Sequence, residues 1–507
     1  MRSDHKGGCR NVRRFAAIII AAVLVFLFIS VARAQSLDWD KTFGGASSDE
    51  GECVQQTTDG GYIIVGVTRQ DVLLIKTDPL GNKLWDRTFG GAGYDYGECV
   101  QQTTDGGYII AGWTDSYGAG GRDVWLIKTD SSGNKLWDRT LGGAVNDHGY
   151  DVQQTIDGGY IIAGETWGEG AYDVLLIKTD SLGNKLWDKT FGLGRVNDHA
   201  LSVQQTTDGG YIIAGGTGNT MPSGSALYNA WLIKTDSLGN KLWDKTFGEA
   251  STDDRGNSVQ QTTDGGYVIA GSARGADVYL VGPHDVWLIK TDSLGNKLWD
   301  KTFGEASTDD HGNSVQQTTD GGYIIAGSIL SDDGKGATWL IKTDSSGNKL
   351  WDKTFGGPSY GSSYAVGNSV QQTTDGGYII AGETLLYGKG ATDVWLIKVR
   401  SDLTQIDLVS PANMSFLESP PTFLWEPSGG QVVMFSVDAS LSPTFRTRWS
   451  TWENLQLELY ETSWTMPQSL WDRIPSDKPI YWRVRGVDWL YEPRTIITSD
   501  EVWSFTK

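Results

Sequence analysis

Three Asp-His pairs stand at matching places in a repeated sequence: Asp147-His148, Asp198-His199 and Asp310-His311. Imidazole beside carboxylate is a donor set for a divalent cation, calcium among the candidates, provided that the copies converge. Each aspartate could equally cap its own loop by accepting backbone N–H groups. Other copies keep the aspartate, as Asp49, Asp95 and Asp254, without the histidine. A second set of residues suits recognition. Trp113, Tyr117, Trp167, Tyr172, Tyr228, Tyr279 and Tyr387 fall in segments that differ from copy to copy. Aromatic rings on variable loops above a rigid scaffold form a surface for a glycan or protein ligand, or else they cap the edges of the sheets. No Ser-His-Asp set recurs and no acidic pair stands apart from the repeat. The expectation is therefore a binding protein without a catalytic centre and without a required cofactor.

The elements that position these residues are read from the repeat itself. D-G-G-Y begins at Asp59, Asp105, Asp157, Asp208, Asp264, Asp320 and Asp375, at intervals of 46 to 56 residues. Intervals of that size mark stacked supersecondary units. V-Q-Q-T predicts a first strand, and T-D-G-G a tight turn whose glycine supplies positive φ. Y-I-I-A-G is an apolar run without alternation, as in a strand covered on both faces. V-W-L-I-K-T and K-L-W-D-K-T-F predict the third and fourth strands, joined by a D-S-L-G-N turn. Four antiparallel strands buried on both faces describe a propeller blade. The chain enters with a lone fourth strand, Leu37 to Phe43, and leaves the repeat after a third strand, Asp393 to Val399. That offset predicts a latch in which the first strand completes the last blade and removes free edges. The expected fold is all-β: a closed seven-bladed β-propeller over residues 35–400, then a β-sandwich over residues 405–507. The T-D-G-G and D-S-L-G-N turns lie on one face and hardly vary. The opposite face receives loops of 4 to 13 residues between second and third strands.

Composition excludes some partners. The 507 residues carry a formal net charge of −20, which phosphate backbones and anionic membranes repel. A soluble monomer without nucleic-acid partners is expected. At the start, Arg10, Arg13 and Arg14 precede an apolar run, Phe15 to Val31, and Ala32-Arg33-Ala34 forms a small-x-small site. Residues 1–34 thus have the layout of a secretory signal, or of an uncleaved anchor, and place the body outside the cell or on its surface. Beyond Cys9 in this leader, only Cys53 and Cys99 remain, at equivalent places in adjacent copies. They are read as a pair of small side chains or, if the strands approach closely enough, a disulfide.

The copies resemble the seven-bladed propeller repeat family of secreted microbial proteins. Trp299 to Phe303, Asp310-His311-Gly312, Gly322 to Gly327, Trp339 to Lys342 and Gly347 to Trp351 take the places of that family's repeat unit. The resemblance implies the fold and lends no general activity. After Val399, Ser410 to Asn413, Pro421 to Pro427, Tyr481 to Asp488 and Trp503 to Thr506 resemble a fibronectin type III-like sandwich. It implies that Trp425 packs against the strand carrying Y-W-R-V-R, and that the module serves as spacer or adhesion surface. Arg446 to Tyr460 departs from its strand pattern. G-N-K-L-W after K-T-D is also similar to the tryptophan-docking repeats of quinoprotein dehydrogenases, though the vicinal disulfide of those enzymes is missing. The spacing Asp180, Gly183, Trp187 is too wide for a sialidase Asp-box. A propeller enzyme, whether hydrolase, lyase or quinoprotein-like oxidoreductase, is the alternative, with its site at the loop face of the channel.

Overall fold

The computed structural model describes residues 39–507 except 193–195, 221–225, 250–251, 275–281, 305–306, 332–334, 357–363, 386–390, 401–402, 430–433, 446–447, 458, 477, 489–494 and 500–501. The expected leader, residues 1–34, and Leu37 and Asp38 lie outside the described residues. Two compact units are present, one within Trp39–Val399 and one holding Arg400–Lys507.

In the first unit, the described residues form seven four-stranded antiparallel sheets. Asp49–Gln56, Tyr62–Thr68, Asp71–Thr77 and Lys83–Phe89 make the first. The T-D-G-G turn closes through Thr57 N–H to Gly61 O, with Gly60 at φ 83°. In the second turn, Asp78 Oδ1 accepts from the N–H groups of Leu80 and Asn82. The last sheet is completed from the far end of the chain. Trp39–Phe43 pairs antiparallel with Asp393–Val399, Trp39 opposite Lys398 and Phe43 opposite Val394. Trp395 Nε1 donates to Asp40 Oδ2 at 2.9 Å, the same bond that Trp339 makes to Asp352 in the sheet before.

Neighbouring sheets pack by one repeated device. The fourth-strand tryptophan of each sheet meets the D-G-G-Y tyrosine of the next, with centroids 5.9–6.0 Å apart in Trp85–Tyr108, Trp243–Tyr267 and Trp351–Tyr378. Trp39 meets Tyr62 in the same way at 5.9 Å, so the last sheet contacts the first as the others contact one another. Backbone bonds repeat this order. Gln102 N donates to Gln55 Oε1, Gln154 N to Gln101 Oε1, and Gln56 N to Gln371 Oε1. Between the sheets, Ile63, Val65, Val72 and Leu74 of the first interleave with Val100, Ile110 and Ile127 of the second, all at most 3% exposed. This is why Y-I-I-A-G shows no alternation: both faces of the strand are covered. The first strands line a cavity of about 220 Å³ whose wall draws a Val and a Gln from every sheet, for example Val54 and Gln55, Val259 and Gln260, Val370 and Gln371.

The second unit holds a three-stranded sheet, Leu403–Ser410, Thr422–Gly429 and Ser463–Thr465, and a larger sheet built on Met434–Ser440 and Ile480–Asp488. Phe423, Trp425, Val437, Trp482, Val484 and Phe505 form its core. Phe423 and Trp482 meet edge-on at 4.9 Å. Asp438 is fully buried and bonded by Arg485 Nη2 at 2.9 Å and Arg483 Nε at 3.2 Å, which offsets the cost of burying its charge. The stretch that departs from a strand pattern contains a short helix, Thr451–Leu455.

Candidate functional site at the loop ends of the first strands

Each first strand starts at the long-loop end, and successive side chains alternate between its two sides. This alternation separates the Asp-His pairs. The aspartates accept from nearby backbone: Gly143 N, in the connecting loop, donates to Asp147 Oδ2 at 3.0 Å and Gly218 N to Asp198 Oδ1 at 3.2 Å. Asp310 accepts from Thr308 Oγ1 at 2.9 Å. Their neighbours His148, His199 and His311 turn the other way and do not meet in one place. His148 Nδ1 bonds Glu165 Oε1 at 2.9 Å, and His199 Nδ1 bonds the same carboxylate through Oε2. His311 instead joins His284, with ring centroids 5.1 Å apart.

The unequal part of the repeat is a run of carboxyls and rings on four adjoining sheets. Tyr96 Oη lies 2.8 Å from Glu50 Oε2 and 2.7 Å from Glu52 Oε1. A phenol has one hydrogen to donate. The second contact is satisfied when one of the carboxyls carries a proton. Burial, set against the Tyr96 bond and reinforced by Glu50, raises Glu52 to about 7. Burial, with Glu50 and Glu52 nearby, raises Glu383 to about 7 as well. Glu98 is pushed well above the ordinary carboxyl range by burial and by Glu52. It accepts from Trp113 Nε1 at 3.3 Å, and Trp113 lies parallel to Tyr96 at 5.6 Å. Glu165 differs: burial pushes its carboxyl up, but bonds from His148 and His199 outweigh that and hold it at about 2. Carboxyls raised by burial and by like charges thus stand beside one lowered by imidazole hydrogen bonds.

The aromatic candidates divide. Trp113 carries Arg122 over its ring at 4.1 Å and Tyr228 carries Arg255 at 4.8 Å, so both are engaged within the protein. Tyr172 packs among Trp167, His148 and His199. Trp167, 40% exposed, and Tyr117, 43% exposed, offer surface to solvent. Tyr279 and Tyr387 lie outside the described residues. Glu50, Glu52, Glu98, Glu165 and Glu383 were not singled out from the sequence, although a signal was available. Glu52 and Glu98 occupy a repeat position held by Asn257, Asn313 and Asn368 in later copies.

Further along the first strands, Cys53 and Cys99 are free thiols with sulfurs 3.3 Å apart. They occupy the position where Ser202, Ser258 and Ser369 accept a backbone bond from the next sheet. The close approach of neighbouring first strands brings them together. The contact with Cys53, then burial, pushes the Cys99 thiol up.

No family model matches the chain, and no curated protein matches it. Among solved structures, a Dyadobacter fermentans protein of unknown function is 11% identical, with a TM-score of 0.39, covering 72% of this chain and 99% of that one. The β-propeller domain of the Trilobed protease from Pyrococcus furiosus is 8% identical with a TM-score of 0.38, covering 66% of this chain and 89% of that one. Sqt1 from Chaetomium thermophilum is 9% identical with a TM-score of 0.39, covering 69% and 84%. These are distant likenesses, and the description of the fold rests on the sheets themselves.

Proposed function

We propose that the protein is an exported, non-catalytic binding scaffold whose seven sheets form a closed β-propeller, followed by a fibronectin type III-like module. The first-to-last contacts, Trp39 on Tyr62 and Gln56 on Gln371, support closure. The basic-then-apolar leader supports export. The ligand docks on the long-loop face, and the observation that carries this is the asymmetry of that face. One sector holds Glu50, Glu52, Glu98 and Glu383 with Tyr96, while exposed Trp167 and Tyr117 stand on neighbouring loops. Flat rings beside closely set, hydrogen-bonding carboxyls suit a glycan, which needs stacking faces and polar partners. A glycan array on the full chain tests this. Trp167→Ala with Tyr117→Ala should abolish the signal, while Asn184→Ala with Asn240→Ala on the opposite face leaves it intact. Equal loss in both pairs, or no glycan bound, would remove the reading. Retained capture of a protein ligand through the same rings would redirect it.

A second reading, a propeller hydrolase, draws on one observation: carboxyls raised to about 7 near another held at about 2. That is the pattern of an acid and an ionised partner. A glycosidase screen on the same sample separates the two, since a hydrolase would release product and Glu52→Gln would end that turnover.

A further inference from the structure

We propose that His284, Asp309 and His311 form a binding site for a divalent transition-metal cation of the zinc class, stapling the fifth sheet to the sixth. One donor atom from each of the three lies within 4.8 Å of the others. His284 opens the third strand of the fifth sheet, His284–Thr291, and the other two stand on the first strand of the sixth, Thr308–Gln317. Asp309 and His311 are two apart on a strand, so they face the same side, which Asp310 does not.

The contacts around His284 point to a cation. Its Nδ1 lies 2.7 Å from Asp309 Oδ1, and its Nε2 lies 3.6 Å from Asp253 Oδ2. A neutral imidazole has one N–H and one lone pair. With Nδ1–H donated to Asp309, the Nε2 lone pair faces a carboxylate, which only a proton or a metal ion between them makes favourable. The His311 ring stands 5.1 Å away, and its Nε2 likewise lies against a carboxylate, Asp309. A dication answers both facts: two carboxylates and two neutral imidazoles sum to its opposite charge. The spacing fits as well. Bonds of about 2.0–2.1 Å in a tetrahedron separate ligand atoms by about 3.3–3.4 Å. His311 Nε2 to Asp309 Oδ2 is 3.2 Å, and His284 Nε2 to Asp253 Oδ2 is 3.6 Å. Nitrogen donors select zinc, nickel or copper over calcium and magnesium, which take oxygen.

His148 and His199 supply the internal contrast. Both turn Nδ1 onto Glu165, and Arg122 Nη1 lies 3.3 Å from His148 Nε2. An arginine occupies the outward nitrogen there, where the other pair has a carboxylate.

The test is calorimetric titration of the full, chelator-treated chain with zinc, and with cobalt followed by visible absorption. One equivalent of zinc should bind, and cobalt should give the intense d–d bands of low coordination. His311→Ala, His284→Ala and Asp309→Ala should each abolish this stoichiometric binding. His148→Ala with His199→Ala should leave it unchanged. Because His284 is buried, the half-buried His311 variant decides the matter if the first does not fold. Failure of zinc to bind, or binding that survives His311→Ala, overturns the proposal. Loss in the His148/His199 variant alone would place the metal elsewhere and also overturn it.

Discussion

The turn face and the loop face of the sheet array treat the same residue type in opposite ways. On the turn face, the D-G-G-Y aspartate of the first six copies meets the buried lysine of K-T-D: Asp59 with Lys76 at 3.0 Å, Asp264 with Lys290 at 2.9 Å, Asp320 with Lys342 at 2.9 Å. Burial pushes the Asp264 carboxyl up, but bonds from Thr262, Lys290 and Gly266 outweigh it and hold it at about 2. On the loop face, Glu52 has carboxyls for neighbours and rises to about 7. The difference teaches where selection by packing ends. A turn that must satisfy a buried lysine and seat the tryptophan of the adjoining sheet reuses one solution across the first six copies. The loop ends have no such obligation, and there the carboxyls, histidines and rings depart from the repeat.

The sharpest way to break this comparison is to remove what makes every copy equivalent. Deleting Leu37 to Phe43 uncovers the edge of Asp393–Val399 and strips Tyr62 of Trp39. The protein should lose cooperative unfolding or aggregate, as followed by calorimetry and light scattering. A deletion variant that melts like the parent would mean that the first strand is no latch.

Smaller effects follow from single sites in the packing device. Trp243 is half-buried against Tyr267, so Trp243→Ala should cost about 2–3 kcal/mol in chemical denaturation, below the ~3–5 kcal/mol of a fully buried ring. A cost within ~0.5 kcal/mol, the level of a free surface position, would detach the ring from the interface. Gly295 lies over that ring at φ 76°, and a Cβ there would sit 2.6 Å from Cζ3 of Trp243. Gly295→Ala therefore meets both a left-handed backbone and an occupied space, and should cost about 1–3 kcal/mol. Gly106, at φ 83° with nothing near its Cβ position, should show the backbone effect alone.

These predictions rest on features that were legible in the sequence, and the loop-face features were not. Strand phase, both turns and the seven tryptophans recur in register, so comparing copies revealed them. The Asp59–Lys76 bond was missed because its members stand 17 residues apart and recur without variation. Invariance marks a role without saying which residues meet. Glu50, Glu98 and Glu383 belong to different positions of the repeat, and only the approach of neighbouring sheets brings them together. The same holds for Asp309 with His284, where the sequence drew the eye to Asp310 because it adjoins a histidine. Adjacency in a strand is separation in space.

The smallest effect concerns pH, and it sharpens the contrast between the faces. Glu52 has an ordinary value of 4.5 and a folded value of about 7. Below 4.5 both folded and unfolded chains hold this proton, so it favours neither. Between 4.5 and about 7 the unfolded chain releases it and the folded chain keeps it, so stability falls as pH rises and levels off above 7. Asp264 runs the other way: its stabilisation is complete above the ordinary 3.8 and is lost as pH falls towards about 2. Glu52→Gln should therefore flatten the decline in melting temperature between 4.5 and 7 and leave the acid limb in place. Asp264→Asn should lower stability at neutral pH and shrink the acid limb. If Glu52→Gln instead steepens the neutral decline, the carboxyl is ionised in the folded protein, and its neighbours must supply a cation that the Tyr96 contact does not.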